Sequence, residues 1–430
     1  MDMTSLMLLS MVVLLLLGFP MMVPMMVATL IGFYIQFDGF DNSRFMIQQM
    51  FAGIRPASLI AVPMFILAAD IMTKGRSATK LIDMVMAYIG HYKGGLAVST
   101  ATACTMFGAV SGSTQATVVA VGSPLHPKLV QNGYKDSFSL SLIISASGIA
   151  LLIPPSIGMI IYGGIAQTSI SELFIAGIVP GLLILVLFSL YSVFFAIKEE
   201  VPTVPKASLA ERLKATRDAI WPLGFPLIIV FGIYGGIFSP TEAASVCVLY
   251  ALLLEVVVFR ELKVKDVLDI AKSTGLITAV VFILVAAGAA FSWVISFAQI
   301  PQAIMAGLGL NETNELGLLL AISIAFFVGC MFVDSIVVIL IMVPIFLPEI
   351  ERLELDKVLV GVIITLQVAI GAVTPPFGCN IFTAVAVFRR RYVDVVRGSL
   401  PFVLLLVLVS GLLILFPQIA LFLRDLAFGK

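Results

Sequence analysis

Apolar residues fill this chain in long stretches, and polar residues are confined to short segments between them. Each stretch is about the length of a membrane span, which takes roughly 20 apolar residues. One of them breaks the pattern: in Ala150–Gly164, ALLIPPSIGMIIYGG, two prolines stand in mid-run. A proline in a helix interior lacks the N–H, clashes with the carbonyl one turn back, and costs about 3 kcal/mol. In lipid the freed carbonyls also need a partner. The same pair recurs in Ala369–Phe382, AIGAVTPPFGCNIF. The pattern predicts two broken helices, over 137–168 and 357–388, with breaks at Pro154 and Pro155 and at Pro375 and Pro376.

The two breaks are copies of one motif. A shift of 221 positions lays Gly148–Ile161 over Ala369–Phe382 without a gap. The same register pairs Pro180 with Pro401, Pro127 with Pro348 and Gly108 with Gly329. Matching leucines and valines are cheap in apolar sequence, but prolines and glycines in one ungapped register are not. The duplication covers 37–197 and 259–416. Residues 1–36 read as a first span, 198–258 as a connecting loop and two spans, and 417–430 as the C-terminal end. The N-terminal segment lacks a basic n-region and an A-x-A site, so it reads as a span and not as a cleaved signal.

Two further runs are interrupted by small or polar residues. GAVSGST (Gly108–Thr114) splits 94–130, and GCMFVDS (Gly329–Ser335) splits 316–350. Each half is short for a full span, so both read as re-entrant helical hairpins. Non-helical backbone at that depth is tolerated only inside protein or beside a cavity. Phe37–Pro56 and Phe259–Ser273 are amphipathic and charged. They read as interfacial arm helices, with ordinary surface connections as the alternative. The remaining spans would form a scaffold around a mobile core.

Charge gives the halves opposite orientations. Cytoplasmic loops are enriched in Lys and Arg. The loop after the first broken helix, Ala166–Glu172, has no basic residue, whereas Phe388–Asp394 has Arg389, Arg390 and Arg391. Corresponding loops then lie on opposite sides, and the repeat is inverted. With Arg389–Arg391 inside, 197–217 and 259–272 also fall inside, and 238–242, 296–315 and 349–356 fall outside. That assignment places the N-terminus in the cytoplasm and the C-terminus in the periplasm. Composition agrees with an all-α polytopic membrane protein: 60% of residues are hydrophobic, 12% are charged, and the mean hydropathy is +1.14. A soluble domain has about 25% charged residues. No basic patch suggests nucleic acid. Cys104, Cys247, Cys330 and Cys379 are scattered through apolar segments without metal or disulfide spacing. His91 and His126 fall near predicted loops, form no zinc motif, and receive no chemistry.

GAVSGSTQATVVAVGSPLHPKLVQNGY, LIPPSIGMIIYG and the later D…VTPPFGCNIF resemble the large membrane subunit of tripartite ATP-independent periplasmic (TRAP) transporters. The likeness spans essentially the whole chain, and within the family it is most like the sialic acid subunits. The resemblance implies an elevator transporter of the bacterial inner membrane, driven by a sodium gradient and without an organic cofactor. It also implies two partners: a small four-helix membrane subunit and a soluble periplasmic binding protein. The transported organic acid would be sialic acid, or alternatively a C4-dicarboxylate.

Within that frame the residues suggest roles. Sodium is a hard cation suited to oxygen ligands, and unwound carbonyls form such sites in inverted-repeat transporters. A first site would use Ser111 and Ser113 with carbonyls near Ala150, Leu151 and Ile153. A second would use Gly329, Gly371, Ala372 and Thr374. The alternative is that each proline pair merely kinks a helix. The substrate is expected between the hairpin tips, near Ser113, Ser156, Asp334, Gly378 and Asn380. Half-helix N-termini there favour an anionic group. An acid deep in a membrane segment suggests function, although Asp334 could equally be a helix N-cap, as could Asn380. No arginine lies inside the predicted core to clamp a carboxylate. The rival readings are a stand-alone symporter of another inverted-repeat family, an intramembrane protease and a channel. The motifs GxGD, GxSG and H-E-x-x-H are absent, so catalysis is not expected.

Overall fold

The computed structural model describes residues 3–307, 309 and 313–429. The expected outer loop 296–315 and the two chain ends therefore fall partly outside the described residues. The first half runs α1 (Met3–Leu16), α2 (Met22–Phe37), α3 (Ser43–Ile54), α4 (Ala61–Lys74), α5 (Ser77–Ile89), α6 (Gly95–Ser111), α7 (Thr114–Gln131), α8 (Asp136–Ser147), α9 (Ile157–Ala166) and α10 (Ile170–Lys198). The second runs α11 (Leu209–Tyr234), α12 (Pro240–Leu252), α13 (Val264–Phe297), α14 (Ile300–Gly307), α15 (Glu315–Phe332), α16 (Ser335–Arg352), α17 (Lys357–Val373), α18 (Cys379–Phe388), α19 (Tyr392–Val396), α20 (Leu400–Leu415) and α21 (Gln418–Phe428). Among the described residues there is no strand. The protein is an all-α polytopic membrane protein.

The 221-residue register recurs in the helix boundaries. Helix α7 begins at Thr114 and ends at Gln131; α16 begins at Ser335 and ends at Arg352. Helices α3 and α13 begin at Ser43 and Val264, and α8 and α17 at Asp136 and Lys357. The pairs α6–α7 and α15–α16 pack as helical hairpins. The broken helices are α8–α9 and α17–α18. Both breaks contain a cis peptide bond, Pro154–Pro155 and Pro375–Pro376. The register also reaches beyond the sequence match, because α2 corresponds to α12 and its continuation to Val258.

A helix that is apolar all round belongs in a core. Every residue from Val358 to Val373 of α17 is buried, and so is every residue from Phe138 to Ser147 of α8. Around this centre the halves exchange partners: α7 packs on α18, and its counterpart α16 packs on α9.

Three expectations need correction. Residues 1–36 do not form one span. Gly18, in the left-handed region (φ 81°), and Pro20 turn the chain, and α1 folds back antiparallel on α2. Met7 Sδ lies so close to Gly32 that a Cβ there would sit 2.6 Å away. The turn is built of apolar residues, so the hydrophobic pattern hides it. The hairpin returns the N-terminus to the side of Phe37, and the single-span argument for a cytoplasmic N-terminus loses its basis. The second arm is not a separate helix either. Pro56 separates α3 from α4, but its counterpart is Ile277, and α13 runs unbroken for 34 residues. At about 1.5 Å per residue it is roughly 51 Å long, more than a bilayer core of about 30 Å. Finally, 417–430 is not a plain chain end: it holds helix α21, which is bent by 60° from α20. Helix α21 then packs on α10 and α17 and carries a buried arginine, Arg424, paired with Asp356 and Asp425.

Candidate substrate and ion site

Each hairpin tip lies against the break of its own half. At the first tip, Gly112 has φ 58°, and a Cβ there would lie 2.3 Å from the Pro155 carbonyl oxygen. Only glycine meets both demands. One turn earlier Gly108 packs on Ala150, where a Cβ would come within 2.7 Å of its Cα. At the second tip, Phe377 N–H donates to the Met331 carbonyl at 3.1 Å. A Cβ on Gly371 would lie 2.4 Å from Cys330 Cβ.

The breaks expose carbonyls for a simple reason. A helical carbonyl at position i is served by the N–H of i+4 or i+3. For Leu151 those positions are Pro155 and Pro154; for Ala372 they are Pro376 and Pro375. Neither carbonyl can be served from its own helix. Next to the first lies a hydroxyl cluster. Ser111 Oγ is 3.1 Å from Thr117 Oγ1 and donates to the Ser113 carbonyl at 3.3 Å. Ile149 O accepts from both Leu152 N–H and Ile153 N–H. At the second break, Gly329 O accepts from Val333 N–H at 3.0 Å, and Thr374 Oγ1 donates to Ile370 O at 2.6 Å.

The two tips share one cavity of about 90 Å³. Its lining includes Ser113, Thr114 and Gln115 from the first tip and Asp334, Ser335 and Ile336 from the second. These are three pairs of counterparts in the 221 register. Ser113 and Asp334 each cap their own helix, accepting from Ala116 N–H at 3.4 Å and from Ile336 N–H at 3.0 Å. Asp334 remains exposed to the cavity. The N-termini of α7, α9 and α16 converge here, each with the positive end of its dipole. The site thus offers one carboxylate, several neutral hydrogen-bonding groups and converging positive dipoles.

Of the expected substrate residues, Ser113 and Asp334 line this cavity, and three do not. Asn380 is fully buried, and its amide donates to Ile144 O at 3.1 Å, tying α18 to α8. Ser156 is fully buried as the N-cap of α9. Gly378 packs on the second break, where a Cβ would lie 2.5 Å from Ala372 O. Gln115 and Thr365 line the cavity and escaped the sequence reading. Gln115 stands in the same polar tip as Ser113; Thr365 sits in an otherwise apolar stretch of α17, away from any break or tip motif, and gives no signal. His126 also has a structural place: its Nε2 is 2.8 Å from Asp136, which pairs with Arg390 at 3.1 Å.

The family model for the DctM component of the tripartite ATP-independent periplasmic transporter matches residues 8–419. The chain belongs to this family. It is 69% identical over 426 residues to the ectoine TRAP transporter large permease protein TeaC of Halomonas elongata, covering 99% of this chain and 100% of that one. It is 68% identical to the ectoine/5-hydroxyectoine large permease protein UehC of Ruegeria pomeroyi, covering 98% and 99%. The sialic acid large permease protein SiaM of Vibrio cholerae is 34% identical, covering 90% of each chain. The expected kinship with sialic acid subunits is therefore corrected: the chain is far more similar to the ectoine proteins. Among solved structures, the YdaH transporter of Alcanivorax borkumensis shares the fold with a TM-score of 0.65 at 17% identity, covering 91% of this chain and 90% of that one. This chain is a TRAP transporter large permease subunit of the membrane, and its relatives are transporter permeases.

Proposed function

We propose that this TRAP permease imports ectoine or a closely similar zwitterion, coupled to a sodium gradient and moved by an elevator motion of the hairpins and broken helices. The observation that carries this reading is the shared cavity between the tips, where Asp334 faces converging helix N-termini. Ectoine carries an amidinium and a carboxylate. Asp334 would pair with the amidinium, and the helix N-termini with the carboxylate. A site without an arginine suits such a solute better than a dianion. Sodium would rest on the first hydroxyl cluster with Leu151 O, and on the second break around Ala372 O. Relatives at 69% and 68% identity that carry ectoine in their names support the substrate.

The partners would be a small membrane subunit and a periplasmic binding protein that delivers the solute. The loop charges support an inverted repeat with Arg389–Arg391 inside and the C-terminal end of α9 outside. The test is uptake of labelled ectoine into proteoliposomes containing both membrane subunits, with binding protein outside and an inward sodium gradient. Uptake that needs the binding protein and sodium supports the reading. Uptake of sialic acid or succinate in place of ectoine overturns the substrate, and uptake by this chain alone overturns the tripartite assembly.

A further inference from the structure

A second, larger cavity of about 410 Å³ lies between α3, α9, α13 and α16. We propose that it is an outer selectivity chamber, which admits net-neutral zwitterions and turns away solutes with net negative charge. This rests on the transport reading above and extends it to a separate set of residues.

Its position comes first. The tip cavity is lined by Ile157 and Gly158 of α9 and by Ile336 and Ile339 of α16. One turn further along the same helices, Ile161 and Gly164, and Leu340 and Pro344, line the chamber. The two cavities thus follow one groove, and the chamber lies toward the C-terminal ends of α9 and α13, whose following loops lack basic residues. That is the side proposed as external. Size comes second. Sites for small molecules occupy about 300–1,000 Å³, and the chamber falls in that range.

Chemistry decides the solute class. The polar groups lining the chamber are Gln49, Gln167, Ser292 and Ser296, beside the indole of Trp293. None of the lining residues is charged. A net charge taken out of water without a partner is strongly disfavoured. A zwitterion brings its own counter-charge, and amide and hydroxyl groups satisfy both ends. Trp293 stacks on Phe37, with centroids 5.4 Å apart and planes at 3°, which fixes the indole at the wall. Ser292 and Ser296 follow at helical spacing on the chamber face of α13.

The chain has two tryptophans. Trp221→Phe therefore leaves Trp293 as the sole indole reporter in the full-length chain reconstituted in lipid vesicles. Titration with ectoine should change its emission saturably, and succinate at equal concentrations should not. Ser292→Phe, which fills the chamber, should remove the response and lower ectoine uptake by the complete system at least tenfold; Ser292→Ala should retain both. An unresponsive Trp293 in a variant that still supports ectoine uptake overturns the chamber, as does an equal response to succinate. If the complete system takes up no ectoine but Trp293 responds to glycine betaine and not to succinate, the ectoine reading falls and the chamber stands. No response to either zwitterion removes the chamber.

Discussion

Gly148 and Ala369 touch at the centre of the molecule: a Cβ on Gly148 would lie 3.4 Å from Ala369 Cβ. They are also counterparts, 221 residues apart. When two copies are related by a two-fold axis, only residues on that axis meet their own counterparts. Under the proposed inverted repeat, the crossing of the two broken helices marks its local axis, and the tip cavity, with its three counterpart pairs, lies on it too. Gly148→Ala adds one methyl at ordinary contact distance and should leave the protein folded. Gly148→Leu overpacks the crossing and should destabilise by about 1–3 kcal/mol, read as earlier thermal unfolding of the purified protein. Equal stability of the two variants would place the axis elsewhere.

Gly112 should be the least replaceable residue of the first tip. Its left-handed backbone disfavours any side chain by about 1–2 kcal/mol, and a Cβ would also meet Pro155 O. Gly236 is the control, with φ 66° but nothing within 4 Å of a Cβ. Gly112→Ala should abolish uptake, whereas Gly236→Ala should carry only the backbone strain and transport normally. Comparable uptake by both would mean that the tip tolerates retreat from the break.

These features were legible in the sequence because proline and glycine act through the backbone, where chemistry leaves little choice. The register, the hairpins and the broken helices all follow from such residues. What stayed hidden depends on long-range packing. The Gly18–Pro20 turn is made of apolar residues, Thr365 lies in an apolar helix, and Arg424 meets Asp356 from 68 residues away in sequence. Substrate identity was hidden for another reason. Ser113 and Asp334 offer hydrogen bonds and one charge, which many organic acids could use. It took overall similarity to the ectoine proteins to move the reading away from sialic acid.

Asp334 can be separated from its capping role. Asn caps a helix about as well as Asp, so Asp334→Asn keeps the Ile336 N–H satisfied and removes the charge. We expect a folded protein that binds ectoine at least tenfold more weakly, with its sodium dependence little changed. Calorimetric titration of the reconstituted variant reads the first quantity, and uptake against sodium concentration reads the second. Wild-type affinity would remove the amidinium pairing from the mechanism.

Asn380 should behave in the opposite way. Its amide serves Ile144 O in a fully buried position. Asn380→Ala strands that carbonyl and should destabilise by about 1–3 kcal/mol. Ectoine affinity, measured on the folded fraction, should hold. A stable variant with lost affinity would return Asn380 to the substrate site.

The proline pairs allow the sharpest test of the ion sites. Pro155 lies four residues after Leu151, and Pro376 four after Ala372. Pro155→Ala restores an N–H at the position that would serve Leu151 O in a continuous helix, and Pro376→Ala does the same for Ala372 O. A carbonyl already serving an N–H is a poorer ligand for sodium. Each single substitution should therefore raise the sodium concentration for half-maximal ectoine uptake several-fold, through its own site. Both together should leave uptake nearly independent of the sodium gradient. Circular dichroism should show helix retained or gained, which separates lost coupling from unfolding. If both variants are folded and their sodium dependence is that of the wild type, the breaks only bend the helices and the ions bind elsewhere.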